Sequence, residues 1–96
     1  MSKNLLQNKE TKEFLANSAL SILINKNILN LNDIGGTTVE FGYIFELENK
    51  ELEALFKLTT LESTYYFAAQ KGKLLLLTIN EAQYKEVAIK MNDLHN

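Results

Sequence analysis

The clearest pattern in the chain is a period of two over positions 39–48, where five apolar residues alternate with Glu40, Gly42, Ile44, Glu46 and Glu48. A period of two predicts a β-strand with one buried face and one wet face, as in antiparallel sheets. Its apolar face is expected to form the core, with helices packed on it, and its other face is largely acidic. The five apolar residues of this face are Val39, Phe41, Tyr43, Phe45 and Leu47.

Two helices are predicted, one near each end of the chain. Positions 9–25 carry apolar residues at spacings of three and four, which is typical of an amphipathic helix. The apolar arc of this helix widens toward its C-terminal half, so it requires burial on more than one side. An Asn-rich segment should then end the helix. The second helix begins after Asn80, which forms a capping box with Gln83.

The loop after the first helix is expected to be anchored by apolar residues, and a Gly35-Gly36 turn should lead from it into the first strand. The expected anchors are Ile28, Leu29 and Leu31.

The middle of the chain fits two structures. The segment 51–60 has apolar residues that suit either a strand or a helical stripe, and the strand is favoured because it keeps the connections short. Asn49-Lys50 would then be a hairpin turn. Two further strands are predicted at 63–70 and 73–79, joined by a Lys71-Gly72 turn. Four consecutive leucines at 74–77 indicate that both faces of the last strand are covered.

These elements predict a single α+β domain over residues 1–96, a four-stranded antiparallel meander flanked by N- and C-terminal helices, α-β-β-β-β-α. The alternative, with a helix in the middle segment, is three strands in the order α-β-α-β-β-α.

Composition narrows the class of partner. The net charge is −2 and all ten basic residues are Lys, so neither a nucleic acid nor an anionic membrane is an expected partner. Absence of Cys fits a reducing compartment, and we expect a cytoplasmic location. No apolar stretch approaches the length of a membrane span. The bias toward Asn, Lys, Ile and Leu suggests an AT-rich bacterial or phage genome.

No residues stand out as catalytic, cofactor-binding or metal-ligating. The sole His, His95, lies next to the C-terminus, where chains usually fray. The segment 33–38 has glycines and hydroxyls, but it leads into a strand and lacks the Lys-Ser/Thr of a phosphate-binding loop. We therefore expect no enzyme activity and no cofactor.

The preferred hypothesis is a non-enzymatic protein-binding module, such as an adaptor, inhibitor or immunity-type protein, that self-associates as a homodimer. The alternative is a domain that binds a small ligand or a metal through the acidic face of the first strand. Consecutive tyrosines in a strand point to opposite faces, so one of Tyr65 and Tyr66 is expected at a surface. The candidate interface residues are Leu20, Ile24, Tyr65, Tyr66, Glu40, Glu46 and Glu48.

Overall fold

The computed structural model describes residues 3–48, 50–69 and 76–95. Within these residues the chain forms two α-helices, one 3-10 helix and one antiparallel sheet. The elements in chain order are β1 (Lys3–Asn4), α1 (Lys9–Asn25), the 3-10 helix (Leu31–Gly36), β2 (Thr38–Glu46), β3 (Leu52–Thr59), β4 (Thr64–Ala69), β5 (Leu76–Ile79) and α2 (Glu81–His95).

The sheet is a meander in which each strand pairs with its neighbours in sequence, in the order β1-β2-β3-β4-β5. Strands β2 to β5, with a helix at each end, confirm the predicted α-β-β-β-β-α fold. The segment 52–59 is a strand, so the alternative with a middle helix is wrong. The two-residue strand β1, which pairs with the end of β2, was not predicted because so short a segment has no periodicity.

Both ends of α1 are capped by local hydrogen bonds. The Asn8 side chain accepts a hydrogen bond from the backbone N–H of Thr11, which satisfies a donor of the first turn. At the other end, Asn27 adopts a left-handed φ of 60°. The N–H groups of Asn27 and Ile28 donate to the carbonyl oxygens of Ile24 and Leu23, a Schellman arrangement. The Asn-rich segment therefore ends the helix as predicted.

A β-bulge at Gly42 interrupts the alternation in β2. Phe41 pairs with Phe56 and Tyr43 pairs with Leu55, so Gly42 is an extra residue without a partner in the register. Phe56 and Leu55 are consecutive in β3 and point to opposite faces of the sheet. Residues of β2 that follow Gly42 therefore point to the face opposite to the one that a regular alternation would give them.

The prediction that five alternating apolar residues share one face is consequently wrong. Val39 and Phe41 pack against the main core, whereas Tyr43 and Phe45 lie on the opposite face. Ile44, which the alternation placed on the polar face, is fully buried in the main core. One inserted residue has the same effect as a one-residue slip of register, which moves every following side chain to the other face.

The main core lies between the sheet and α1. The apolar residues of α1 that it buries are Leu15, Ala19 and Leu23. On the sheet, rings from three adjacent strands form a row, with centroids 5.1 Å apart for Phe41 and Phe56 and 5.4 Å apart for Phe56 and Phe67. The other buried members of this core are Leu5, Leu29, Ile44, Ala54, Leu58 and Ala69.

The helix α2 packs on the opposite face of the sheet. Its capping box is present as predicted: the Asn80 and Gln83 side chains each accept a hydrogen bond from the backbone N–H of the other residue. Tyr84 of this helix contacts Tyr66 of β4, with ring centroids 5.1 Å apart. Leu55 is fully buried but lies outside the main core, in agreement with its position on this face. The two helices thus cover different faces.

Two local predictions need correction. The connection from β2 to β3 is longer than a two-residue turn, because the N–H of Leu47 donates to the carbonyl of Glu51. Of the expected loop anchors, only Leu29 is buried; Ile28 and Leu31 are exposed. The predicted Lys71-Gly72 turn lies outside the described residues, as do Leu74 and Leu75 of the leucine run.

Candidate interaction surfaces

Three large aliphatic side chains are exposed in the segments that connect α1 to β2 and β3 to β4. Ile28 is 47% exposed, Leu31 is 71% exposed and Leu61 is 83% exposed. Ile28 lies in the loop after α1, Leu31 begins the 3-10 helix, and Leu61 lies in the β3–β4 turn. We call these three residues the apolar end.

One direct contact links two of the segments that carry these residues. A 3-10 helix rises about 2 Å per residue, so Leu31 lies only about 10 Å along the helix axis from Gly36. Leu61 packs against Gly36: its Cγ is 3.1 Å from the position that a Cβ atom on this glycine would occupy. Ile28 precedes Leu31 by three residues, a span of at most about 11 Å. Leu61 therefore lies against the last residue of the 3-10 helix that Leu31 begins, and Ile28 lies three residues before that helix.

Charged residues of both signs accompany the apolar end. Lys26 precedes Ile28 by two positions, Asp33 follows Leu31 by two positions, and Glu62 follows Leu61 directly. All three are exposed. Within residues 3–48, 50–69 and 76–95, none of the three takes part in an ion pair. Each exposed apolar residue is thus close in sequence to an exposed charge, a mixture that is also found in the interfaces of transient complexes.

A second notable surface is the tyrosine cluster on the α2 face, formed by Tyr43, Tyr66 and Tyr84. Burial raises the pKa of the Tyr43 phenol far above its ordinary value, with the negative charge of Glu53 as the next cause. Burial also raises the pKa of Tyr84, and the charge of Glu40 adds to this effect. All three rings are half-buried, so the cluster serves mainly to attach α2 to the sheet.

The predicted interface residues do not form a single surface. Leu20 and Ile24 are half-buried and pack against the main core. Tyr65 packs against that same core, whereas Tyr66 lies under α2. Each of these tyrosines therefore contacts one side of the protein, and neither is fully exposed.

The three predicted glutamates are also dispersed. Glu40 lies on the α2 face, where its carboxylate is 3.7 Å from the Lys57 ammonium. Glu46 follows the bulge and pairs with Leu52, which packs against the main core, so it lies on the α1 face. Glu48 is exposed in the connection to β3. The acidic face expected from the alternation therefore does not exist as one surface.

Sequence reasoning missed the apolar end as a site. Ile28 and Leu31 were interpreted as loop anchors, and Leu61 stands alone in a polar turn. The only available signal was that these apolar residues lie in segments without helical or strand periodicity, where no regular packing face would bury them.

The described residues contain no group of three or more His, Asp or Glu side chains arranged to hold a metal ion. No helix in the same residues has the length and apolarity needed to cross a membrane. Comparison of the chain with protein-family models, curated proteins and solved structures finds no match.

Proposed function

We propose that this chain is a non-enzymatic protein-binding module that associates with other copies of itself. The observation that carries the proposal is the apolar end, three large aliphatic side chains that are 47–83% exposed in the α1–β2 and β3–β4 connections. Single exposed apolar residues are common on monomeric proteins, but a group of them with a polar rim is typical of an interaction site. Each of these side chains would gain from removal of its apolar surface from water.

The net charge of the chain and its lack of Arg support a protein as the partner. A net charge of −2 and the absence of Arg disfavour a phosphate-rich partner, so the proposed partner is a protein rather than a nucleic acid or an anionic membrane. The lack of Cys supports a reducing environment, and we place the module in the cytoplasm of a bacterial or phage-infected cell.

The alternative function, ligand or metal binding on the acidic face of the first strand, has less support. The bulge at Gly42 places Glu40 and Glu46 on opposite faces of the sheet. A hard cation needs several oxygen ligands within about 2.6 Å, and carboxylates on opposite faces do not converge in this way. The proposal therefore relies on the apolar end and not on the carboxylates.

Sedimentation velocity tests the proposal over protein concentrations from about 10 μM to about 1 mM, which bracket weak association. The expected result is a weight-average mass that rises with concentration from 10.9 kDa toward twice this value. A mass of one chain at every concentration would overturn self-association. A thermal shift with Mg²⁺ or Ca²⁺ in the same sample would favour the alternative.

A further inference from the structure

We infer that the outer edge of β2 over residues 38–43 binds an extended segment of another protein, in which a basic residue stands between two apolar residues. The segment would add a strand to the sheet, antiparallel to β2. We call residues 38–43 the free edge. This inference goes beyond the proposed self-association, because it assigns a different surface and a partner other than this chain.

The free edge has no strand on its outer side. β2 is nine residues long, but the register of β1 reaches only Phe45 and Glu46. The N–H of Leu5 donates to the carbonyl of Ile44, and the chain then leaves the sheet for α1. Among the residues that the structure describes, β3 is the only strand that pairs with the free edge. An edge of this kind presents backbone N–H and C=O groups to which another strand can bind.

Water reaches the free edge. Three of its residues, Thr38, Glu40 and Gly42, are exposed, and the residues between them are half-buried. Gly42 has no side chain, so its exposed surface is backbone. Six residues of antiparallel strand span about 20 Å, which is the length of a typical β-strand. The free edge is therefore long enough and open enough to take one more strand.

The pairing with β3 shows which sequence suits this stretch of β2. Residues 39–41 lie opposite residues 56–58, so Lys57 faces Glu40, and the apolar residues on either side of this pair face one another. Apolar pairs and pairs of opposite charge are the favourable neighbours across two strands. A strand on the outer side meets the same three residues of β2. The apolar–basic–apolar pattern of β3 is therefore the pattern expected of the partner.

Glu40 favours a basic residue in the partner. Its side chain is 75% exposed, and its carboxylate is 3.7 Å from the ammonium of Lys57. An exposed ion pair contributes little, and a carboxylate has two oxygens, so Glu40 can accept from a second cation on its outer side. The free edge contains no Lys, so a second copy of it cannot supply this cation. Antiparallel pairing of two copies centred on Glu40 would also place two glutamates opposite each other.

The first test uses two blocked synthetic peptides, GTVKVTG with Lys between two Val residues, and GTVEVTG with Glu in place of that Lys. Chemical-shift titration by NMR to about 5 mM peptide covers weak binding. GTVKVTG should bind the wild-type chain at least about fivefold more tightly than GTVEVTG, because only its central residue is opposite in charge to Glu40.

Charge reversal on the protein should reverse this preference. Glu40→Lys should weaken the binding of GTVKVTG about fivefold to tenfold and strengthen that of GTVEVTG by a similar factor. The matched control is Glu62→Lys, which changes the net charge equally at an exposed position in the β3–β4 turn. It should leave both affinities within about twofold of the wild type. Circular dichroism checks that each variant is folded.

Amide hydrogen exchange locates the added strand. Saturation with GTVKVTG should slow the exchange of amides in the free edge, because their outward N–H groups gain acceptors. Slowing confined to another part of the chain would overturn the inference. Equal affinity for the two peptides, or no chemical-shift change at the highest peptide concentration, would also overturn it.

A second copy at the free edge is a separate outcome. If the same amides became protected as the concentration of the chain alone was raised, the edge would be occupied by another copy, which would overturn the assigned partner. Sedimentation velocity without peptide separates this inference from the proposed function. A wild-type chain that binds GTVKVTG but stays monomeric would overturn self-association alone, and a self-associating chain that does not bind the peptide would overturn this inference alone.

Discussion

The hydroxyl oxygen of Tyr84 lies 3.2 Å from the position that a Cβ atom on Gly42 would occupy. The carbonyl oxygen of Leu55 is equally close to that position from the sheet side. A side chain at position 42 would thus project between the backbone of β3 and a tyrosine of α2, although Gly42 itself is exposed. The residue that creates the bulge in β2 also makes room for the helix on the second face of the sheet.

A methyl group at Gly42 should therefore destabilise the protein. Gly42→Ala would crowd a backbone oxygen that cannot move without disturbing β3, and we expect a loss of about 1–3 kcal/mol in the free energy of unfolding, measured by urea denaturation. The matched control is Gly35→Ala. Among the described residues, apart from its chain neighbours, no atom lies within 4 Å of the corresponding position there, so this change should be neutral or stabilising by up to about 1 kcal/mol. Equal effects of the two changes would contradict the crowding of a Cβ atom at position 42.

The exchange of faces at the bulge is tested by truncating isoleucines. Ile44 is fully buried in the main core, so Ile44→Ala should cost about 2–5 kcal/mol of unfolding free energy. Ile89 on α2 is 66% exposed, and Ile89→Ala should change the stability by no more than about 0.5 kcal/mol. A small effect at Ile44 would mean that the alternation continues through Gly42 and that this side chain faces water.

The sequence predicts the elements of this fold well because their signals are local. The period of α1, the capping box at Asn80 and the alternation in β2 depend on residues close together in the chain. The bulge at Gly42 depends on pairing with β3, the next strand along the chain. Residues 43–45 are all apolar, so the sequence fits a regular strand and a strand with a bulge at Gly42.

The candidate site was less predictable than the fold for a similar reason. Whether Ile28, Leu31 or Leu61 is exposed depends on which other segments pack over it. The local sequence pattern does not contain this information. Gly36 and Leu61 are 25 positions apart in the chain, yet they are in contact. The interface predicted from the sequence instead followed the periodic elements, whose apolar residues are mostly used by the core.

The capping box of α2 offers a third prediction. The Asn80 side chain accepts a hydrogen bond of 2.8 Å from the N–H of Gln83, so Asn80→Ala leaves a donor of the first turn without this partner. We expect a loss of about 0.5–2 kcal/mol in the free energy of unfolding by thermal or urea denaturation. Asn17→Ala is the matched control, because Asn17 is an exposed residue within α1, where Ala is the better helix former. A loss at Asn17 as large as that at Asn80 would contradict a specific capping role.

The tyrosine cluster predicts that stability declines at alkaline pH. Burial raises the pKa of Tyr43 and of Tyr84 in the folded protein, whereas tyrosines of the unfolded chain titrate near a pH of about 10. At lower pH both states keep these phenolic protons, and the stabilising contribution is complete. Above this pH the unfolded chain releases protons that the folded protein retains. The unfolded state then binds fewer protons, so the free energy of unfolding falls as the pH rises.

Urea denaturation at several pH values from about 8 to 11 measures this decline. Tyr43→Phe removes one of the two groups, so its stability should fall less steeply above a pH of about 10 than that of the wild type. Glu53→Gln removes only the secondary cause of the Tyr43 shift and should reduce the slope by a smaller amount. The order of the three slopes separates the two causes. If Glu53→Gln reduced the slope as much as Tyr43→Phe, the charge of Glu53 and not burial would dominate the shift, which would mean that the face of β2 beyond Gly42 is open to water.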